Sequence, residues 1–249
     1  MKIEKGSVYA IIPARSGSVS IKNKNIRKLG KYPLIAYSIA IAKMVGSINR
    51  VIVTTDSEYY GAIARSYGAE VPFIRPSEIS GPYSTDLEFM NHAINWFDKN
   101  EKVLPEYWVH LRPTTPLRDV ELIEGAIAQI KKDADATSLR SAHQTDLCPM
   151  KWFIKDSDGY LNTFCNITND EANGPRQNFP VVFIPNGYVD ILKTEHIVNT
   201  GKLHGNKIKL FEVPPTIDID YENEFNTLEN NFNQKAQSIV SWLDDYVNN

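Results

Sequence analysis

The chain has 249 residues, 42% hydrophobic and 23% charged, with 13 glycines and 14 prolines, a composition that excludes collagen-like, low-complexity and mainly disordered proteins. Its 27 Lys and Arg against 30 Asp and Glu leave a formal charge of −3, without the basic excess of a general nucleic-acid binder. Two cysteines, Cys148 and Cys165, supply neither a disulfide framework nor a zinc site, which suits a reducing, cytoplasmic setting.

Short apolar runs alternate with helical-period segments, the pattern of a parallel α/β sheet. Val8–Ile12 predicts a buried strand, followed by a polar loop from Arg15 to Asn25. A helix over Leu34 to Met44 follows Pro33. With polar Tyr37 and Ser38, and far short of the roughly 20 residues a membrane span needs, it is no membrane segment. The Val8–Ile12 run enters Pro13-Ala14-Arg15 without a cleavage site, so it is no export signal. Val51–Val53 predicts a second strand ending in Thr54-Thr55-Asp56, then a helix over about Tyr59–Ser66 and a short strand at Val71–Ile74. Ser84 or Thr85 would cap a helix running to about Asp98. Trp108–Leu111 predicts a strand and Val120 to Lys131 an amphipathic helix.

The rhythm changes beyond about residue 140. Residues 146–185 hold a hairpin signal at Asp158-Gly159, several aromatics and a polar stretch over Asn169–Asn178, so they read as an excursion rather than another βα unit. Strands return at Val181–Ile184, Tyr188–Leu192 and Lys207–Val213, and a helix over about Glu222–Tyr246 closes the chain. With no repeat and no linker, residues 1–249 read as one domain with a protruding lobe at 146–185.

Three groups of residues carry chemistry. The loop after the first strand offers backbone N–H donors to phosphate oxygens, and Arg15, Lys22 and Lys24 add positive charge where a triphosphate would lie. It matches neither the dinucleotide nor the P-loop fingerprint, and the same residues also suit a solvated basic loop. In Thr216-Ile217-Asp218-Ile219-Asp220, period-2 alternation puts the two carboxylates on one face, an arrangement suited to Mg²⁺ shared with phosphate. Asp220 also suits a helix cap. Arg75, Arg112, Arg176 and Asn186 sit in turn-like contexts, where a surface arginine is common. Arg112, however, directly follows a strand, at the edge where α/β sheets bind ligands. His92 and His110 show no metal spacing and are assigned to structure.

Together these segments resemble the CMP-N-acylneuraminate synthetases, cytidylyltransferases that activate sialic and other nonulosonic acids. The resemblance runs in order through Ile11-Ile12-Pro13-Ala14-Arg15-Ser16-Gly17-Ser18, Lys22 to Ile26, Thr54-Thr55-Asp56, Ile74 to Ile79, Leu111 to Arg118, Pro175 to Pro180, Pro185 to Ile191 and Ile217 to Phe225. It implies a Rossmann-like nucleotidyltransferase fold, a mostly parallel sheet flanked by helices, and a homodimer whose lobe reaches into the partner's site. It also implies CTP and a nonulosonic acid as substrates. Arg15 and Lys24 would bind the CTP phosphates with Ser18 and Asn25, while Arg75, Ser84 and Thr85 surround the cytidine. Asp218 and Asp220 would hold Mg²⁺. Lys151 and Arg176 would grip the sugar carboxylate across the dimer, and Arg112 and Asn186 the sugar's other polar groups. Arg15, Lys24, Asp218 and Asp220 would carry catalysis; no general base is evident.

Three positions depart from the family pattern. Val19-Ser20 stand where Lys-Gly is usual, and Lys22 is the nearby replacement cation. Arg112 stands where sialic acid enzymes often have Gln, and Leu203-His204 where aromatics line the N-acyl pocket, both pointing to a relative of sialic acid such as a legionaminic-type acid. Transfer to an octulosonate, a non-catalytic homologue, and a glycosyltransferase are the competing readings. The loop cations argue against the last.

Overall fold

The computed structural model describes every residue except 231, 233–235 and 249. Its spine is β1 (Lys2–Pro13), whose alternating side chains enter two cores. Val8, Ala10 and Ile12 face one core and Tyr9 and Ile11 the other, all at most 6% exposed. Parallel neighbours flank it: β4 (Arg50–Thr54) on one side and β5 (Val103–His110) on the other. Two tiny strands, β2 (Lys28–Leu29) and β3 (Tyr32–Pro33), form a separate ladder between β1 and β4 in the chain.

The six-stranded sheet is completed by β6 (Ser138–Thr145), β9 (Val182–Lys193) and β10 (Ile208–Glu212), in the order β10-β6-β9-β5-β1-β4. Only β9 runs antiparallel to its neighbours. The hairpin predicted at Asp158-Gly159 is β7 (Phe153–Lys155) with β8 (Leu161–Thr163).

One face of the sheet carries α1 (Leu34–Met44), α2 (Glu58–Ser66), α4 (Val120–Lys132), α7 (Glu222–Asn230) and α8 (Gln237–Asn248). The other carries α3 (Asp86–Asn100) and α6 (Thr194–Thr200). A four-residue α5 (Asn169–Ala172) lies in the excursion. Helix α1 is buried nearly all round, which explains its uniformly apolar sequence. Full burial of side chains such as Ile11, Ile12, Leu34 and Ile35 contributes about 1.5–3 kcal/mol each. Among the described residues no helix is long and apolar enough to cross a membrane.

Three expectations change. Val71–Ile74 is not a strand: the segment touches the sheet only through isolated bridges, Ile52 to Glu70 and Thr55 to Ile74. Pro72, with no N–H, interrupts a ladder between them. The two strands expected over 181–192 are one, β9, whose register against β6 shifts between Arg140 and Ala142. Among the described residues the closing helix is divided, into α7 and α8, and part of the stretch between them lies outside those residues.

Candidate active site

Strands β1 and β5 end side by side, and their following loops frame the carboxyl edge of the sheet. A cleft of about 620 Å³ opens there. The first loop lines it with Arg15, Ser18, Lys24 and Asn25; Arg75, Ser84, Asp86 and Phe89 form another wall; Arg112, Asp220 and Tyr221 close it. Eight residues expected from the sequence thus meet in one place.

The first loop is fixed by its neighbours. Asp56 accepts from the Ser16 N–H at 2.7 Å and from its hydroxyl at 2.8 Å. Asn25, buried, donates to the Arg15 carbonyl at 2.9 Å. Asn23 takes a left-handed φ of 56°, a conformation asparagine tolerates, and its side chain accepts from Tyr60. Val19 is 78% exposed at the cleft. Lys22 is exposed and lines no part of it.

Arg75 is 4% exposed and donates to the Thr54 carbonyl, yet its Nε has no partner. Burial pushes the guanidinium down to about 10, against the pull of Asp56 and Asp86. Arg75 thus lines the cleft as a buried cation with one donor unpaired.

Arg112, expected to meet the sugar's polar groups, is held by two carboxylates. Its Nη1 donates to Asp190 at 3.0 Å and its Nη2 to Asp86 at 2.6 Å. Arg140 lies 3.3 Å from the other Asp190 oxygen, so two arginines and two carboxylates balance. Beside them His110 is fully buried with neither ring nitrogen hydrogen-bonded. Burial and the Arg112 charge push it down to about 3, so it is neutral. Sequence reasoning missed Asp86, masked by its place after a helix cap. Asp190 left a signal, a lone acid within the apolar run Tyr188–Leu192.

Below this network Arg118 is 2% exposed and pins three segments together. It donates to the carbonyls of Tyr188 at 2.6 Å, Arg112 at 2.9 Å and Gly187 at 3.3 Å, and to the Ser38 hydroxyl at 3.1 Å.

The segment carrying Asp218 and Asp220 is irregular rather than a strand, because Ile219 is the residue that anchors it. Ile219 is fully buried and donates to the Thr114 carbonyl at 2.9 Å. The two carboxylates go to different partners. Asp220, exposed, lies 3.1 Å from Lys24 Nζ, which also donates to the Ile219 carbonyl at 2.7 Å. Asp218 accepts from Thr115 at 3.5 Å and does not line the cleft. It sits over Gly187, whose φ is +67°; a Cβ there would lie 3.3 Å from the carboxylate and 3.1 Å from the Thr115 hydroxyl. The glycine keeps that space open. Oxygen donors beside a cationic cleft fit a hard divalent cation of the magnesium type. Among the described residues no three acids, histidines or cysteines converge, so such a cation would take its other ligands from phosphate and water.

Besides Asp218, four expected residues lie outside the cleft lining. Thr85 caps α3 in a capping box with Glu88. Asn186 is buried, accepting from Ser141 at 2.9 Å. Lys151 donates to the Gly174 carbonyl at 2.5 Å, and Arg176 to the carbonyls of Phe179 and Pro180 at 3.2 and 3.3 Å.

A family model described as cytidylyltransferase matches residues 9–185, and the chain belongs to that family. An N-acylneuraminate cytidylyltransferase of Escherichia coli is 32% identical over 88% of this chain, which spans 50% of that relative's length. A CMP-N,N'-diacetyllegionaminic acid synthase of Campylobacter jejuni is 28% identical over 89% of this chain and 93% of its own. Among solved structures, a CMP:2-keto-3-deoxy-manno-octonic acid synthetase complexed with CTP superposes with a TM-score of 0.67 at 14% identity, covering 92% of this chain and 99% of its own. That likeness establishes the α/β nucleotidyltransferase fold.

Proposed function

We propose that this chain couples CTP to a nonulosonic acid of the sialic or legionaminic type, giving a CMP-sugar and pyrophosphate. The observation that carries this reading is the meeting of Arg15, Lys24, Arg75 and Arg112 with Asp220 in one cleft. The relatives named for such acids narrow the substrate class. In the reaction the sugar 2-hydroxyl oxygen attacks the α-phosphorus in line, the bond to pyrophosphate breaks, and the hydroxyl proton is lost. Catalysis of this kind is mostly positioning and charge neutralisation.

Arg15 and Lys24, with Ser18 and Asn25, bind the phosphates. Arg75, held at the Thr54 carbonyl, forms the nucleoside wall with Ser84 and Phe89. Thr85 acts on that wall only through its cap. Asp218 and Asp220 would hold Mg²⁺, which would supply charge neutralisation at the α-phosphate. Arg112 and Asn186 belong to the sugar side, Arg112 as a strut that fixes Asp86 and Asp190. Lys151 and Arg176 bind the sugar carboxylate of a second copy's site in a cytoplasmic homodimer. Trp152, Phe153 and Phe164, 40–59% exposed, supply the apolar contact.

The test is pyrophosphate release from CTP with Mg²⁺ across N-acetylneuraminic, legionaminic, pseudaminic and octulosonic acids, with UTP and ATP as controls. Release with CTP and a nonulosonic acid is expected. Turnover of the octulosonic acid alone would move the substrate class. Silence from folded protein that still binds CTP would favour a non-catalytic homologue, the reading that apolar Val19 in the phosphate loop supports.

A further inference from the structure

Lys24 and Asp220 both stand where the triphosphate would lie, and they hold each other. Lys24 is the fixed member: its side chain is 12% exposed and its Nζ rests on the Ile219 carbonyl at 2.7 Å. That carbonyl cannot drift, because Ile219 is fully buried and its N–H is bonded to Thr114. Asp220 is the free member, 66% exposed, with one oxygen 3.1 Å from the ammonium. Its backbone N–H is tied to Glu224 at 2.6 Å, so the residue stays in place while its carboxylate can turn.

We infer that this ion pair makes the cleft select the metal-complexed triphosphate over the bare one. The inference rests on the reading of the cleft as a CTP site. A bare triphosphate meets a lysine already neutralised by Asp220 and a carboxylate of its own sign. A triphosphate arriving with a divalent cation brings a second cation for Asp220, so the carboxylate turns from Lys24 and the ammonium passes to the phosphates. The exchange keeps every charge paired. Asp220 is therefore a specificity-determining residue before it is a ligand: it penalises metal-free nucleotide as well as rewarding the loaded one.

Removing the Asp220 carboxylate frees Lys24 and takes away a like charge, so a gain in affinity for bare nucleotide is predicted. CTP affinity is measured by calorimetry for wild-type protein and Asp220→Asn, each in EDTA and in Mg²⁺, with thermal unfolding as a check on folding. In EDTA the variant should bind CTP roughly five-fold tighter, the effect of one unit charge about 4 Å away under near-aqueous screening. In Mg²⁺ the wild-type protein should tighten and the variant should not. Unchanged or weaker binding of the variant in EDTA overturns the inference, as does a full Mg²⁺ enhancement in the variant. Wild-type protein that binds CTP in neither buffer contradicts the proposed function itself. Should Asp220→Asn unfold, Asp220→Ser applies the same two criteria.

Discussion

The cleft and the excursion at 146–185 carry similar side chains in opposite settings. Cleft residues rest on the buried core: Arg75 and Asp190 are 4% and 1% exposed, and Ile219, which anchors Asp220, is fully buried. The excursion has little beneath it. Its apolar residues stand out, with Leu147, Tyr160 and Leu161 at 60–72% exposure, and Lys151 and Arg176 bind carbonyls of their own segment. One region is finished by its own chain, and the other presents an apolar surface and two cations tied only to carbonyls of their own segment. The difference supports a division of labour, nucleotide in the cleft and sugar acid completed by a second copy's excursion.

The largest expected effect falls on the cleft. Asp220→Asn should lower turnover at least about a hundred-fold, on the scale of losing one preorganised electrostatic group, while thermal stability holds because the side chain is exposed. Turnover within a few-fold of wild type would remove Asp220 from the chemistry.

A second prediction tests whether the cleft's charge network is self-contained. His110 is neutral in the fold, held down to about 3, and takes a proton when the chain unfolds below its ordinary value of 6.5. The unfolded state therefore binds more protons in that window, and stability falls as pH drops, by up to about 1.4 kcal/mol per pH unit from this residue. His110→Leu should flatten denaturant-unfolding stability between those limits. An unchanged pH slope would show that His110 is not the group responsible.

On the excursion, Arg176→Ala should raise the KM for the sugar acid about ten-fold, the loss of one charge-assisted contact, and leave the CTP KM near its starting value. Equal rises in both would end the division of labour. Smallest is Val19→Lys, which should tighten CTP by about 0.5–1 kcal/mol because the position is exposed and solvent screens the new charge. Weaker binding would mean the loop is built around the valine.

Much of this was legible in sequence where local chemistry decides. The alternation of Val8–Ile12 placed the central strand, Pro33 marked the start of α1, and Asp158-Gly159 marked the hairpin. The clustering of Arg15, Lys24, Arg75, Arg112 and Asp220 followed from the family resemblance, with the first loop and Arg112 marked also by their places after strands. What was illegible depends on tertiary pairing. Arg112 reads as a surface arginine or a sugar contact until Asp86 and Asp190 arrive from other elements, whereas the Thr85 cap is local and was legible. Asp218 and Asp220 alternate as expected about buried Ile219, yet tertiary pairing gives them different partners, Thr115 and Lys24. Pro72 is local, but only the partner ladder shows that it cancels a strand.

The most direct test of one site built from two copies is complementation between two crippled variants. Arg176→Ala and Asp220→Asn proteins, each nearly inactive at limiting sugar acid, are mixed, dissociated and reassembled, and pyrophosphate release from CTP is measured. The account predicts that activity returns, because an intact Asp220 cleft then meets an intact Arg176 from the other protomer. No recovery from a mixture shown to contain mixed dimers would contradict it, placing Arg176 with the cleft of its own chain.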